Sequence, residues 1–208
     1  MCGSVMANDM SIIRPCDEQA VADAIDALAR GELVVIPTET VYGLVADPRV
    51  PGAVDRIYGA KLRDKGKPLQ LLVSGVDVID RMGFDLSAVE RRLADRFWPG
   101  ALTLIVEANG RSEGFRVPDS AIVLSLVARV GGALRATSAN LSGEAPALTA
   151  QEAYGCLGDA VSVILDSGPV ECGVASTVVR VCDGNKIEVL REGAISRDLI
   201  ELVGSGNV

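Results

Sequence analysis

The sequence predicts an α/β domain built on a mixed, twisted sheet. Segments with helical periodicity alternate along the 208-residue chain with short apolar runs of strand length. Near the C-terminal end, Asp183-Gly184-Asn185 separates two strand-like stretches as a hairpin turn would, so not every strand pair is parallel. No linker, internal repeat or low-complexity segment divides the chain. It reads as one domain over 1–208, with its core at about 14–203 and short flexible tails.

The elements follow in order. Asp17 to Arg30 carries Ala20, Val21, Ala24, Ile25, Leu28 and Ala29 on one helical stripe, and Gly31 supplies the stop. Leu33 to Ile36 is a buried strand that Pro37 breaks. Pro51 to Leu62 is a helix with proline in its first turn. Leu69 to Val73 is a strand. Ser87-x-x-Glu90 is a capping box opening a helix that ends near Trp98, before Pro99-Gly100. Leu102 to Val106 is a strand, and Pro118 opens a helix that Gly131-Gly132 closes. Ala133 to Thr137 is a strand, Thr149-x-x-Glu152 a second capping box, and Val161 to Leu165 a strand. Ser176 to Val181 and Lys186 to Leu190 form the hairpin. Ser196 caps a last helix that frays into Gly204-Ser205-Gly206.

Composition narrows the function. A net charge of −8 argues against non-specific duplex binding, which depends on neutralising phosphates with Lys and Arg. Aromatics at 3% leave little for base stacking. The chain has no histidine, which excludes Ser-His-Asp and Cys-His catalysis, zincin motifs and histidine metal sites. The five cysteines, Cys2, Cys16, Cys156, Cys172 and Cys182, show no C-x-x-C spacing and read as reduced thiols of a cytoplasmic protein. Met1 to Met10 lacks the order of a signal peptide, and no apolar run reaches the ~18 residues that cross a bilayer, so no membrane association is expected.

Chemistry-bearing segments stand out against this background. Lys61, Arg63, Lys65 and Lys67 put four cations into seven residues where a helix should stop. Ser138-Ala139-Asn140 offers hydroxyl and amide groups just after a strand. Such cations and polar groups suit a polyphosphate pocket; a solvated helix end is the alternative for the basic cluster. No P-loop or G-x-G-x-x-G is present, so side-chain cations and loop ends would hold any nucleotide. Pro37-Thr38-Glu39-Thr40-Val41-Tyr42-Gly43-Leu44 reads as a loop at a strand end, where it could orient a small polar substrate or merely make a turn. Trp98-Pro99-Gly100-Ala101-Leu102-Thr103 reads first as a rigid corner with a packing tryptophan. Arg116, before Val117-Pro118, suits a bidentate grip on a carboxylate or else a surface ion pair. Ser176-Thr177 enters the hairpin, and Arg191 in Leu190-Arg191-Glu192-Gly193 leaves it.

Taken in order, these segments resemble the YrdC/TsaC family, the threonylcarbamoyl-AMP synthases. The resemblance runs from about Leu33 to Ile200 and rests on PTETVYGL, the K-x-R pair with Lys67-Pro68-Leu69, WPGALT, RVP, SANLSG, Ser176-Thr177-Val178 and LREG. Two stretches depart from the family pattern: Gln70-Leu71-Leu72, where a histidine is frequent, and a short Asn109 to Arg116 without Thr-Gly. The resemblance implies a YrdC-like twisted mixed sheet flanked by helices around a concave cleft. It implies that L-threonine, bicarbonate or CO₂, and ATP with Mg²⁺ yield threonylcarbamoyl-AMP and pyrophosphate. The product would pass to a tRNA threonylcarbamoyl transferase complex; direct tRNA binding is possible but is not the favoured expectation. Lys61 and Arg63 would stabilise phosphate charge as catalytic groups. Lys67, Ser138, Asn140 and Arg191 would complete the ATP site, and Thr40, Arg116 and Ser176 would hold threonine; no metal ligands are assigned. The alternatives are a YciO-like paralogue with another substrate and an RNA-binding module.

Overall fold

The computed structural model describes residues 10–206, so Cys2, most of the stretch inspected for a leader and the last two residues lie outside it. Its strands are β1 (Ile13–Pro15), β2 (Val34–Pro37), β3 (Tyr42–Ala46), β4 (Gln70–Val73), β5 (Leu102–Ala108), β6 (Arg111–Arg116), β7 (Ala133–Ser138), β8 (Val163–Asp166), β9 (Thr177–Cys182) and β10 (Lys186–Arg191). Its α-helices are α1 (Glu18–Ala29), α2 (Ala53–Ala60), α3 (Val76–Arg81), α4 (Ala88–Phe97), α5 (Ala121–Arg129), α6 (Ala150–Leu157) and α7 (Arg197–Ser205). All ten strands form one sheet, in the order β1-β8-β2-β3-β7-β4-β6-β5-β9-β10. Parallel pairs such as β4–β6 and β5–β9 mix with antiparallel ones such as β2–β3 and β9–β10, as the hairpin signal requires. Among the described residues, no helix is long and apolar enough to cross a membrane.

Side-chain alternation decides which face each strand covers. Val34 and Ile36 pack with α1 and α5, while Val35 packs on the other face with Leu44, Ile57 of α2 and Ala153 of α6. Both faces of β2 are therefore covered, which is why it reads as an unbroken apolar run. In the other half of the sheet, Leu102, Leu104 and Phe115 bury against α4 and α7. Their neighbours Thr103, Ile105 and Gly114 line an open cleft instead.

The helix ends obey local chemistry. The Asp17 carboxylate accepts from the Ala20 amide at 2.8 Å, and Ser87 and Glu90 close the full capping box. Thr149 closes only half of the second box, because Glu152 turns back to the Leu148 amide at 2.7 Å. Ser196 is the cap residue of α7 but makes no side-chain capping bond.

Six elements depart from the sequence reading. PTETVYGL is a β2–β3 hairpin rather than a loop, since Pro37 still pairs with Tyr42 as the last rung of β2. Asn109 to Arg116 is the turn and second strand of the β5–β6 hairpin, with Asn109 and Gly110 both at positive φ. Short β1 and α3 carry too few residues for a periodic signal. The helix expected from Pro118 starts at Ala121, where Ser120 provides the cap, and the one expected from Pro51 runs only over Ala53–Ala60.

Candidate functional site

The cleft has a volume of about 670 Å³ and opens where the second helical layer is missing. Strands β4, β5, β6, β7 and β9 form its floor, and the Arg63–Leu69 segment and the end of β10 form its walls. Among the nine residues singled out from the sequence, Thr40, Arg63, Lys67, Arg116, Ser138, Ser176 and Arg191 line it. Lys61 and Asn140 do not.

Lys61 and Arg63 part company at Leu62. Leu62 adopts φ +50 with its side chain 81% exposed, a left-handed turn at a bulky residue. That turn sends Lys61 inward and Arg63 to the cleft. The Lys61 ammonium donates to the Ser138 carbonyl at 2.5 Å, to the Asn140 carbonyl, and to Asn140 Oδ1 at 3.4 Å. The basic cluster and the SAN loop therefore meet, with Lys61 working from behind the loop. Burial, with Arg63 nearby, pushes the Lys61 ammonium down to about 8 from its ordinary 10.5. Asn140 spends its amide on the carbonyls of Leu141 and Glu144, at 2.8 and 2.9 Å, and keeps the same loop closed.

Arg116 is neither a surface ion pair nor a free guanidinium. It is 3% exposed, and its Nε donates to the Gly100 carbonyl at 3.0 Å. Its Nη2 donates to Glu39 Oε1 at 2.6 Å and to Thr40 Oγ1 at 2.8 Å, and among the described residues Nη1 is uncommitted. The WPGALT corner thus does more than pack: beyond the Trp98 Nε1 bond to the Leu102 carbonyl at 2.7 Å, it seats Arg116 through Gly100. Thr38 donates to the Val41 carbonyl at 2.6 Å and closes the hairpin that presents Thr40. Tyr42 only locks that hairpin to the end of β8, donating to the Gly168 carbonyl at 2.8 Å.

Arg191 donates from Nη2 to the Ser176 carbonyl at 2.8 Å, across the β9–β10 hairpin. Gly193 makes this crossing possible: a Cβ there would lie 2.2 Å from the Ala175 carbonyl oxygen. Burial, then Arg116 and Arg63, lower the tendency of Arg191 to hold its proton. Three guanidiniums and Lys67 therefore converge on one cavity in a protein of net charge −8. A site of this kind stabilises a polyanion.

Gln70 and Thr103 were not anticipated as site residues. Thr103 Oγ1 donates to Gln70 Oε1 at 2.7 Å and lies 2.8 Å from Ser176 Oγ. The available signals were a polar residue heading an apolar strand and a threonine alternating with Leu102 and Leu104. Among the described residues, no group of three or more Cys, Asp or Glu gathers to hold a metal ion.

Comparison with known proteins adds an independent line. The Sua5/YciO/YrdC family model, described as telomere recombination, matches residues 26–193. A Mycobacterium tuberculosis protein is 35% identical over 198 residues, covering 89% of this chain and 90% of its own. The threonylcarbamoyl-AMP synthase of Bacillus subtilis is 34% identical over 198 residues, 90% of this chain. The crystal structure of Pyrococcus abyssi Sua5 complexed with L-threonine superposes with a TM-score of 0.83 at 30% identity over 92% of this chain. The chain spans only 57% of the Bacillus protein and 59% of the Pyrococcus chain.

Proposed function

The chain belongs to the Sua5/YciO/YrdC family, and from that premise we propose that it is an L-threonylcarbamoyl-AMP synthase. The observation that carries this reading is the convergence of Arg63, Lys67, Arg116 and Arg191 on a cleft whose floor is lined with hydroxyls. In this reading the threonine carboxylate meets the uncommitted Nη1 edge of Arg116, with Thr40 and Ser176 beside it. The triphosphate lies along Arg63, Lys67, Ser138 and Arg191.

The threonine amine takes up CO₂ as a carbamate, and a carbamate oxygen attacks the α-phosphorus of ATP. Pyrophosphate leaves with the electron pair of the broken P–O bond. Negative charge grows on the transferring and departing phosphates, where Arg63 and Lys67 are already in place. Lys61 and Asn140 act from behind, holding the loop that presents Ser138. No covalent enzyme intermediate is needed, so a chain without histidine can perform this chemistry. Among the described residues no group of three or more Cys, Asp or Glu gathers, so Mg²⁺ would come with ATP as its counter-ion and supply charge neutralisation on the phosphates. The product is a mixed anhydride suited to acyl transfer, which fits delivery to a tRNA-modifying transferase.

Binding and turnover test the reading together. ATP consumption that requires both L-threonine and bicarbonate supports it. ATP cleavage indifferent to threonine points to a paralogue with another substrate, and salt-sensitive RNA binding without turnover to an RNA-binding module.

A further inference from the structure

The cleft floor contains a directed chain of hydrogen bonds whose last donor has no partner among the described residues. Arg191 Nη2 donates to Ser176 Oγ at 3.3 Å. Thr103 has one hydroxyl proton and gives it to Gln70 Oε1 at 2.7 Å, so the 2.8 Å contact between Ser176 and Thr103 must be donated by Ser176. The order is then Arg191 to Ser176 to Thr103 to Gln70. Fixing Gln70 Oε1 on Thr103 also fixes its Nε2, and among the described residues that amide group donates to no protein atom. Hydrogen bonds that all point one way polarise each other, and this series starts at a guanidinium.

The sheet makes room for the contact. Gln70 opens β4 and Thr103 lies on β5, with β6 between them. At Gly114 of β6, a Cβ would lie 3.6 Å from Thr103 Cγ2, 3.7 Å from Gln70 Cβ and 3.1 Å from Ile105 Cδ1. A strand without a side chain at this point lets its two neighbours meet over it.

We propose that the Gln70 carboxamide is the donor for the CO₂-derived oxyanion, held first as bicarbonate and then as carbamate: bicarbonate gives up hydroxide to become CO₂, the threonine amine bonds to that carbon, and the amine proton leaves with the hydroxide as water; this rests on the synthase reading. Position supports the assignment. Gln70 follows Lys67 directly through Pro68 and Leu69, and its side chain is bonded to the Thr103–Ser176 side of the cleft. It therefore stands between the proposed phosphate and amino-acid halves, where the one-carbon unit must sit. Chemistry supports it as well. The carbamate oxygen has to remain nucleophilic towards phosphorus. A guanidinium would add a full positive charge to that contact and blunt the oxygen; a neutral amide orients it at less cost.

The test is steady-state kinetics with bicarbonate, threonine and ATP varied in turn, for Gln70→Leu and Thr103→Val. Loss of one hydrogen bond to a charged group corresponds to a roughly 10- to 100-fold rise in the bicarbonate KM for Gln70→Leu. The threonine and ATP KM values of Gln70→Leu should stay within about twofold. Thr103→Val, which removes the hydroxyl that orients the amide and also the acceptor of the Ser176 hydroxyl, should raise the same KM by a smaller factor and by more than it raises the threonine KM, and it carries the test should Gln70→Leu fail to fold. An unchanged bicarbonate KM, or an equal rise in the threonine or ATP constants, overturns the inference alone. Wild-type ATP turnover that ignores bicarbonate overturns the inference and the synthase reading together.

Discussion

Replacing Lys61 with methionine keeps the side-chain volume and removes the ammonium, and it separates a loop anchor from a substrate ligand. In the structure that ammonium serves the carbonyls of Ser138 and Asn140 from a position 1% exposed. Hydrogen bonds from a charged donor contribute about 1.5–3 kcal/mol each, and stranded buried carbonyls cost a further ~1–3 kcal/mol. Relief from burying a charge offsets part of this, so Lys61→Met should lose a net ~2–4 kcal/mol. For a chain of this size each kcal/mol moves Tm by about 2–4 °C, so scanning calorimetry at pH 7 should read a fall of roughly 5–15 °C. Turnover should fall too, because Ser138 is no longer held. A variant that loses activity but melts within about 1 °C of wild type would place Lys61 on the substrate and refute the anchoring role.

The same residue makes a pH prediction. Its folded value is about 8 against an ordinary 10.5, so between those limits the unfolded chain holds more protons and stability rises with pH. Between pH 7.5 and 10 the wild type should therefore gain denaturant stability relative to Lys61→Met, by no more than about 3 kcal/mol, and a difference between the two that does not change with pH would contradict the depressed value. Arg63→Ala should lower Tm little, since Arg63 is only half-buried and its guanidinium bonds just the surface carbonyls of Lys67 and Pro68, while lowering kcat on the order of 10²–10³ in a stopped assay. Arg116→Lys retains a charge but not the span between Gly100, Glu39 and Thr40; it should lower denaturant stability by about 2–4 kcal/mol and weaken threonine binding in calorimetry. Leu62→Gly removes an exposed side chain from a left-handed turn, and its Tm should not fall, unlike leucine-to-glycine changes elsewhere.

Much of this arrangement was legible in the residues. Apolar periodicity and turn chemistry located α1, α4, β5, β7 and the β9–β10 hairpin, because each carries its own local cause: a cap, a buried stripe or a Gly-Asn turn. β3 was missed because Thr38 and Gly43 look like loop residues, while its pairing energy comes from β2 and β7, distant in sequence or dependent on a tight turn. The convergence of Lys61 with Ser138 and Asn140 could be inferred from motif order, but not the side from which Lys61 approaches. That depends on one backbone angle at Leu62. That Arg116 would carry chemistry was legible from its place before Val117-Pro118 and it does line the cleft, whereas its ties to Glu39 and Gly100 join three separate segments and have no local signal. Gln70 and Thr103 meet only because Gly114 lies between them, a fact of strand order rather than of spacing.

The cleft's cations and hydroxyls are assigned to one task, joining a carbamoylated hydroxy amino acid to the α-phosphate of ATP. The most direct measurement is mass spectrometry of the product made by the purified protein from ATP, bicarbonate and isotopically labelled L-threonine. The account predicts a threonylcarbamoyl adenylate carrying the label, released with stoichiometric pyrophosphate. An unlabelled nucleotide product, formed at the same rate with threonine omitted, would contradict it.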